Sequence, residues 1–367
     1  MISSNSSKGM EKFIMPHLAA MGSYAPPKPV ETMGPVRRMI KMNANENPYG
    51  CSPKVLHALA NCDFLNLYPD AMQTGLRQQF QEYTGIDAEH IVATCGGAGV
   101  VDLILRLLVG PGDEVINCEP TFDYFRFRTE ICGGTSVQVL RDEKFAVDVN
   151  AVKAAIGERT KLIIVNNPNN PTGNITPQKD ILELVDMGLP ILVDEAYYEF
   201  SGETVAPLVG QYENLMVLRT LSKWAGLAGL RVGYGIFPTA IANYLLKIKP
   251  PFNVSAAALV AVQQSLADRD HLMNTVKILI AERERLIREL GRMNFLKPFP
   301  SHANYILCGV LKGTASEIRQ RLEDKGILIR TYYTELLRNY IRPSVGKPEH
   351  NDALIKALKE IGEEIEG

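Results

Sequence analysis

From about residue 50 to residue 250 the chain alternates two patterns. Short, continuous apolar runs, "DEVINCEP", "TKLIIVNNP", "LPILVDEAYYEF", "LMVLRTLSK" and "RVGYGIF", are separated by longer stretches with helical patterning. Runs that offer no polar face suit strands buried on both sides, and helices between them supply the crossovers of a largely parallel sheet. After "KPPFNVSAAALV" the period becomes helical over roughly 256–293. There follow a strand, "ANYILCGV", a helix near 314–325, a strand, "GILIRTYY", and a terminal helix, which together predict a smaller α+β domain. The Pro-rich "YAPPKPVETMG" predicts an extended arm, because proline fixes its own φ and restricts the residue before it. The expected division is an arm over 1–45 that packs with the small domain, a large domain over 46–255 and a small domain over 256–367.

Composition narrows the class without naming a chemistry. A chain of 367 residues, 46% hydrophobic and 22% charged with a net charge of −2, has enough apolar mass for two cores and no basic excess for nucleic acid. The six cysteines, Cys51, Cys62, Cys95, Cys118, Cys132 and Cys308, form no CxxC pair, which points away from zinc and from a disulfide framework. A reducing cytoplasm is the expected compartment. "FIMPHLAAMG" is too short for a membrane span and is broken by Pro16 and His17.

Polar residues punctuate the ends of the predicted strands, where an open parallel sheet gathers its ligands. "IIVNNPNNPTGN" ends with Asn170, "ILVDEAY" with Asp194 and Tyr197, and "VLRTLSK" with Thr220, Ser222 and Lys223, with Arg231 eight residues beyond the lysine. Each feature has a plain reading in isolation: Asn170-Pro171-Thr172-Gly173 is a turn sequence, and a lone lysine is ordinarily solvated. Together, an amine, a carboxylate, a phenol, an amide and an arginine suit an aldehyde cofactor held as a Schiff base, and pyridoxal phosphate fits that description. In this reading Lys223 is the nucleophile, Asp194 faces the pyridine nitrogen, and Asn170 and Tyr197 hold the ring oxygen. Thr220, Ser222 and Arg231 bind the phosphate, helped by the backbone N–H groups of Gly97 and Ala98 at a predicted helix start.

The ordered set "NANENPYG", "YPD", "NNPNNPTGN", "VDEAYYEF" and "TLSKWAGLAGLRVGY" resembles the class I/II, fold-type I aminotransferases, most closely their histidinol-phosphate branch. The match runs from about Tyr24 to Gly346. The resemblance implies that Phe122 of "EPTFDYF" stacks on the cofactor ring and that Tyr68 reaches the cofactor phosphate of a second subunit in a homodimer. It also implies that Arg342 of "NYIRPSVG" grips the substrate's carboxylate or phosphate, with Arg330 and Tyr24 at its phosphate end. Where the family carries an acidic residue, this chain reads "GGAG" at 96–99. The activity implied is amino transfer between histidinol phosphate, or a similar amino acid, and 2-oxoglutarate. The alternatives are an aromatic or other amino-acid aminotransferase, a decarboxylase of the threonine-phosphate type, and a dinucleotide-binding protein or non-catalytic module, although the GxGxxG fingerprint is missing.

Overall fold

The computed structural model describes residues 8–22 and 39–366. Its larger sheet has seven strands in the order β2-β8-β7-β6-β5-β3-β4. These are β2 (Ile91–Thr94), β3 (Glu114–Glu119), β4 (Thr135–Leu140), β5 (Thr160–Asn166), β6 (Ile191–Asp194), β7 (Leu215–Thr220) and β8 (Gly233–Ile236). All run in one direction except β8, which pairs antiparallel with both β2 and β7. The continuous apolar runs are explained by burial on both faces: every residue of β6 and β7 is buried, and helices cover both sides. Burying each large aliphatic side chain contributes about 1.5–3 kcal/mol, so these central strands anchor the fold.

The smaller sheet has five strands in the order β1-β11-β12-β10-β9. They are β1 (Ile40–Met42), β9 (Leu296–Pro298), β10 (Cys308–Val310), β11 (Ile327–Thr331) and β12 (Tyr340–Arg342). Strand β1 lies in the arm segment of the sequence and pairs parallel with β11, Met42 opposite Ile329, so this part of the arm is built into the small sheet.

The helical stretch expected over 256–293 is two helices, Ala256–Ala267 and Arg269–Leu290, broken at Asp268. The first contributes Ala258, Ala261 and Val262 to the core of the large sheet. The second spans both cores: Leu272, Val276 and Leu279 pack under the large sheet, and Leu286 and Leu290 under the small one. The change of core therefore falls inside this helix, beyond the expected boundary at 255/256. Among the described residues, no helix is long and apolar enough to cross a membrane.

Candidate active site

Parallel register brings the ends of β5, β6 and β7 to one edge of the large sheet. Asn166 pairs with Asp194, and Asp194 with Leu218 two residues before Thr220. The small sheet faces this edge, and between the two lies a cleft of 310 Å³. Gly97, Ala98, Phe122, Asn170, Asp194, Tyr197, Thr220, Ser222, Lys223, Arg231, Arg330 and Arg342 all line it. Tyr68 does not. It stands 81% exposed on the outer surface, stacked on Phe252 with ring centroids 4.5 Å apart. Tyr24 lies outside the described residues.

The loop after β7 holds Lys223 against the first asparagine-rich segment, where its Nζ donates to the Ala44 carbonyl at 3.2 Å. Gly226 permits this packing. It has φ +67, and a Cβ there would overlap the Gly50 carbonyl. Burial pushes the Lys223 amine down to about 8, aided by the positive charges of Arg342 and Arg231 and opposed by Glu46 and Asp194. The Asp194 carboxyl is pushed up to about 7, chiefly by burial and then by Glu195, while the Ala196 N–H, donating at 2.9 Å, and Lys223 pull it down. Burial thus displaces an amine and a carboxyl toward neutrality in the same cleft, the pattern characteristic of functional sites.

Tyr197 is fixed by Asn45, whose Nδ2 donates to the phenolic oxygen at 2.9 Å. Burial first drives the tyrosine hydroxyl up to about 12. On the other wall, Arg342 donates from Nη1 to Asn170 Oδ1 at 2.6 Å and from Nη2 to the Asn43 carbonyl at 3.1 Å. Its guanidinium also lies 5.0 Å from the Tyr305 ring centroid and 6.0 Å from that of Tyr332. Arg330 stands directly opposite Arg342 in the β11–β12 register. The Arg330 guanidinium lies 5.8 Å from the Tyr332 ring centroid, and its charge acts on Asp123 across the cleft.

At the far end, Gly96 takes φ +74 and opens the helix Gly97–Leu108, whose first N–H groups have no intrahelical partners. A Cβ at Gly96 would lie 2.5 Å from Arg231 Nη2, which places that guanidinium against the helix start, and the positive φ there favours glycine. Arg231 itself adopts φ +52, a strained conformation for a side-chain-bearing residue. Thr220 Oγ1 donates to Ser222 Oγ at 3.0 Å alongside. Helix N-terminus, two hydroxyls and a guanidinium together make an anion cradle. Two amide oxygens at the cleft are buried without a partner among the described residues: Asn43 Oδ1 and Asn166 Oδ1. Asn166 ends a strand of the large sheet and Asn43 lies beside Arg342 of the small one, so acceptors on both sides of the cleft suit a polar ligand's donors.

Sequence reasoning missed the residues that orient the expected ones. Asn43 and Asn45 alternate along "NANENPYG", a period-2 signal that faces them inward. Tyr305 and Tyr332 had no such signal: the first sits in an apolar run typical of core aromatics, and the second follows Arg330 and Thr331 at a strand end.

A buried amine and a carboxylate at a sheet edge, an anion cradle and a second sheet carrying arginines are the arrangement of a fold-type I transferase. The chain belongs to the aminotransferase class I and II family, whose sequence model matches residues 37–358. It is 48% identical to a histidinol-phosphate aminotransferase of Dehalococcoides mccartyi over 96% of this chain and 99% of that one. The chloroplastic histidinol-phosphate aminotransferase of Nicotiana tabacum is 42% identical over 95% of this chain and 86% of its own. The crystal structure of histidinol-phosphate aminotransferase from Sinorhizobium meliloti in complex with pyridoxal-5'-phosphate superposes with a TM-score of 0.86. It is 25% identical, covering 96% of this chain and 98% of that one.

Proposed function

We propose that this enzyme moves the amino group of histidinol phosphate to 2-oxoglutarate, using pyridoxal phosphate. The observation that carries this reading is that Arg330 and Arg342, register partners on the small sheet, line one cleft with the buried Lys223 amine: two guanidinium groups suit a dianionic phosphate whose amine lies near the lysine. The names of the relatives, at 40–48% identity over nearly the whole chain, support the same substrate.

The residues fit the cofactor by the chemistry of their donors. The cradle of Gly97, Ala98, Thr220, Ser222 and Arg231 suits its phosphate, and Asp194 suits a protonated ring nitrogen. Tyr197 and Asn170 suit its ring oxygen, Phe122 its ring face, and the Lys223 amine its aldehyde. When bound, the group supplies an electron sink that acidifies the substrate's Cα–H. Asp194, held by the Ala196 N–H, keeps the ring-nitrogen proton in place. Lys223, its amine lowered toward neutrality, would take up the Cα proton and hold it for return. Arg342, oriented by Asn170 and the Asn43 carbonyl, would fix the anionic end of each substrate in turn.

A homodimer is part of this reading. Phe64, Leu65, Leu67, Tyr68, Met72 and Phe252 form an exposed apolar surface of a kind that monomers rarely present. A two-fold contact there brings Tyr68 to a neighbouring cleft. Sedimentation of active enzyme as a monomer would remove this part. The cytoplasm suits the chain, whose six cysteines are all unpaired.

The experiment is a panel of amines and amino acids offered to the holoenzyme with 2-oxoglutarate, scored by glutamate formation and by carbon dioxide release. Histidinol phosphate is expected to give the highest kcat/KM without carbon dioxide. A preference for ordinary amino acids overturns the substrate, and carbon dioxide release overturns the reaction.

A further inference from the structure

Asp123 has a place in the cleft that none of the roles above uses. It is the N-cap residue of the helix Tyr124–Ile131, yet its side chain makes no capping bond. An aspartate at that position ordinarily accepts an N–H of the first turn. Here it adopts φ −47 and ψ −22, and its carboxylate, half-buried, lines the cleft beside Phe122. Burial pushes this carboxyl upward, while Arg126 on its own helix and Arg330 on the opposite wall pull it down. Asp123 and Asp194 are the carboxylates that line the cleft, and Asp194 is taken up by the Ala196 N–H and the Lys223 charge.

We propose that Asp123 accepts the ring N–H of the imidazole of histidinol phosphate and thereby selects a heteroaromatic amino phosphate. This rests on the substrate reading above. Three substituents diverge from the carbon that bears hydrogen: the amine, the phosphate-bearing methylene and the imidazole-bearing methylene. The amine goes to Lys223 and the phosphate to Arg330 and Arg342, because a carboxylate repels phosphate. The ring is then left to the wall that carries Phe122 and Asp123. Imidazole keeps at least one N–H donor whether neutral or cationic, so the acceptor works in both forms. The other arm of the exchange, 2-oxoglutarate, carries a carboxylate where the ring was. Asp123 therefore works against that substrate while Arg330 works for it.

The test uses holoenzyme carrying Asp123→Asn and Asp123→Ala, the first nearly isosteric and neither removing a cap bond. Two ligands without an amine, 3-(imidazol-4-yl)propyl phosphate and 3-phenylpropyl phosphate, are titrated by calorimetry, and KM is measured for histidinol phosphate and 2-oxoglutarate. In the Ala variant the imidazole ligand is expected to weaken about tenfold or more, the loss of one charge-assisted hydrogen bond, with the KM for histidinol phosphate rising in step. The phenyl ligand is expected to change less than twofold, and the KM for 2-oxoglutarate to stay or fall. Equal weakening of both phosphates overturns the inference, since Asp123 then acts through Arg330. Unchanged binding of the imidazole ligand overturns it too. Either result leaves the substrate reading standing if the parent enzyme consumes histidinol phosphate, and both fall together if it does not.

Discussion

Asp194 and Glu195 are chain neighbours, both buried, and their surroundings are opposite. Asp194 opens to the cleft, with one backbone N–H and a nearby amine. Glu195 points behind the sheet edge and is saturated: it accepts from Arg219 Nε at 3.0 Å, from Thr204 Oγ1 at 2.7 Å and from the Val205 N–H at 2.7 Å. The next residue pair along β7 repeats the division, with Thr220 facing the cleft and Arg219 facing Glu195. Arg219 also lies 3.7 Å from the Tyr198 ring centroid, and Glu199, pushed up to about 7 chiefly by burial, accepts from Tyr83 Oη at 2.9 Å. Alternation along a strand thus sends one member of each pair to chemistry and the other to a closed network that fixes the strand ends. Buried charge is costly in both places; behind the sheet it is compensated by partners, and in the cleft the compensation is left for a ligand.

The largest expected effect comes from Lys223→Ala, which removes the proton-moving group and should lower turnover by about 10⁴-fold. Because the lost amine is a desolvated one, Tm by calorimetry should hold or rise. Full transaminase activity would refute the assignment. In the parent protein freed of cofactor, acylation of Lys223 followed by peptide mass analysis should climb to its half-point near pH 8. The lowered value means that the neutral, reactive amine predominates above that pH, whereas a half-point at 10.5, the ordinary lysine value, would show an unperturbed group.

Arg219→Met breaks the other side of the comparison. It strands Glu195 without its cation, and denaturant titration should show a loss of about 3–5 kcal/mol. Asp194→Asn should do the reverse, leaving the denaturation midpoint in place while reducing turnover by about 10²- to 10³-fold, as loss of one preorganised electrostatic partner does. Parent-like turnover would give that carboxylate another role. Least disruptive is Tyr83→Phe, which removes one hydrogen bond to Glu199 and should cost about 1 kcal/mol of stability, with KM unchanged.

The large sheet was legible because its central strands are buried on both faces and therefore read as unbroken apolar runs. The cleft residues on β6 and β7 were legible for the same reason, since the polar residues stand at the abrupt ends of those runs. Strand β1 was not: three residues carry too little pattern, and its partner β11 lies near the other end of the chain. The break at Asp268 is hidden because apolar spacing continues through it, although Asp268 accepts a short hydrogen bond from Ser52 and an ion pair from Lys54. Asp123 also looks, in sequence, like a routine helix cap, and only the geometry shows the cap bond unmade.

The helix Arg269–Leu290 is rooted in both cores, and its mechanical consequence reaches the cleft. At 1.5 Å per residue its 22 residues make a beam about 33 Å long. Arg342 rides on the sheet at one end, and Lys223 is fixed to the sheet at the other. With an arm of about half the beam, a tilt of about 4° would displace the guanidinium by about 1 Å, a misplacement that can cost on the order of 10²-fold in rate. Substitutions at Leu279 or Leu286, neither of which lines the cleft, thus have leverage over catalysis through the angle of a single strut.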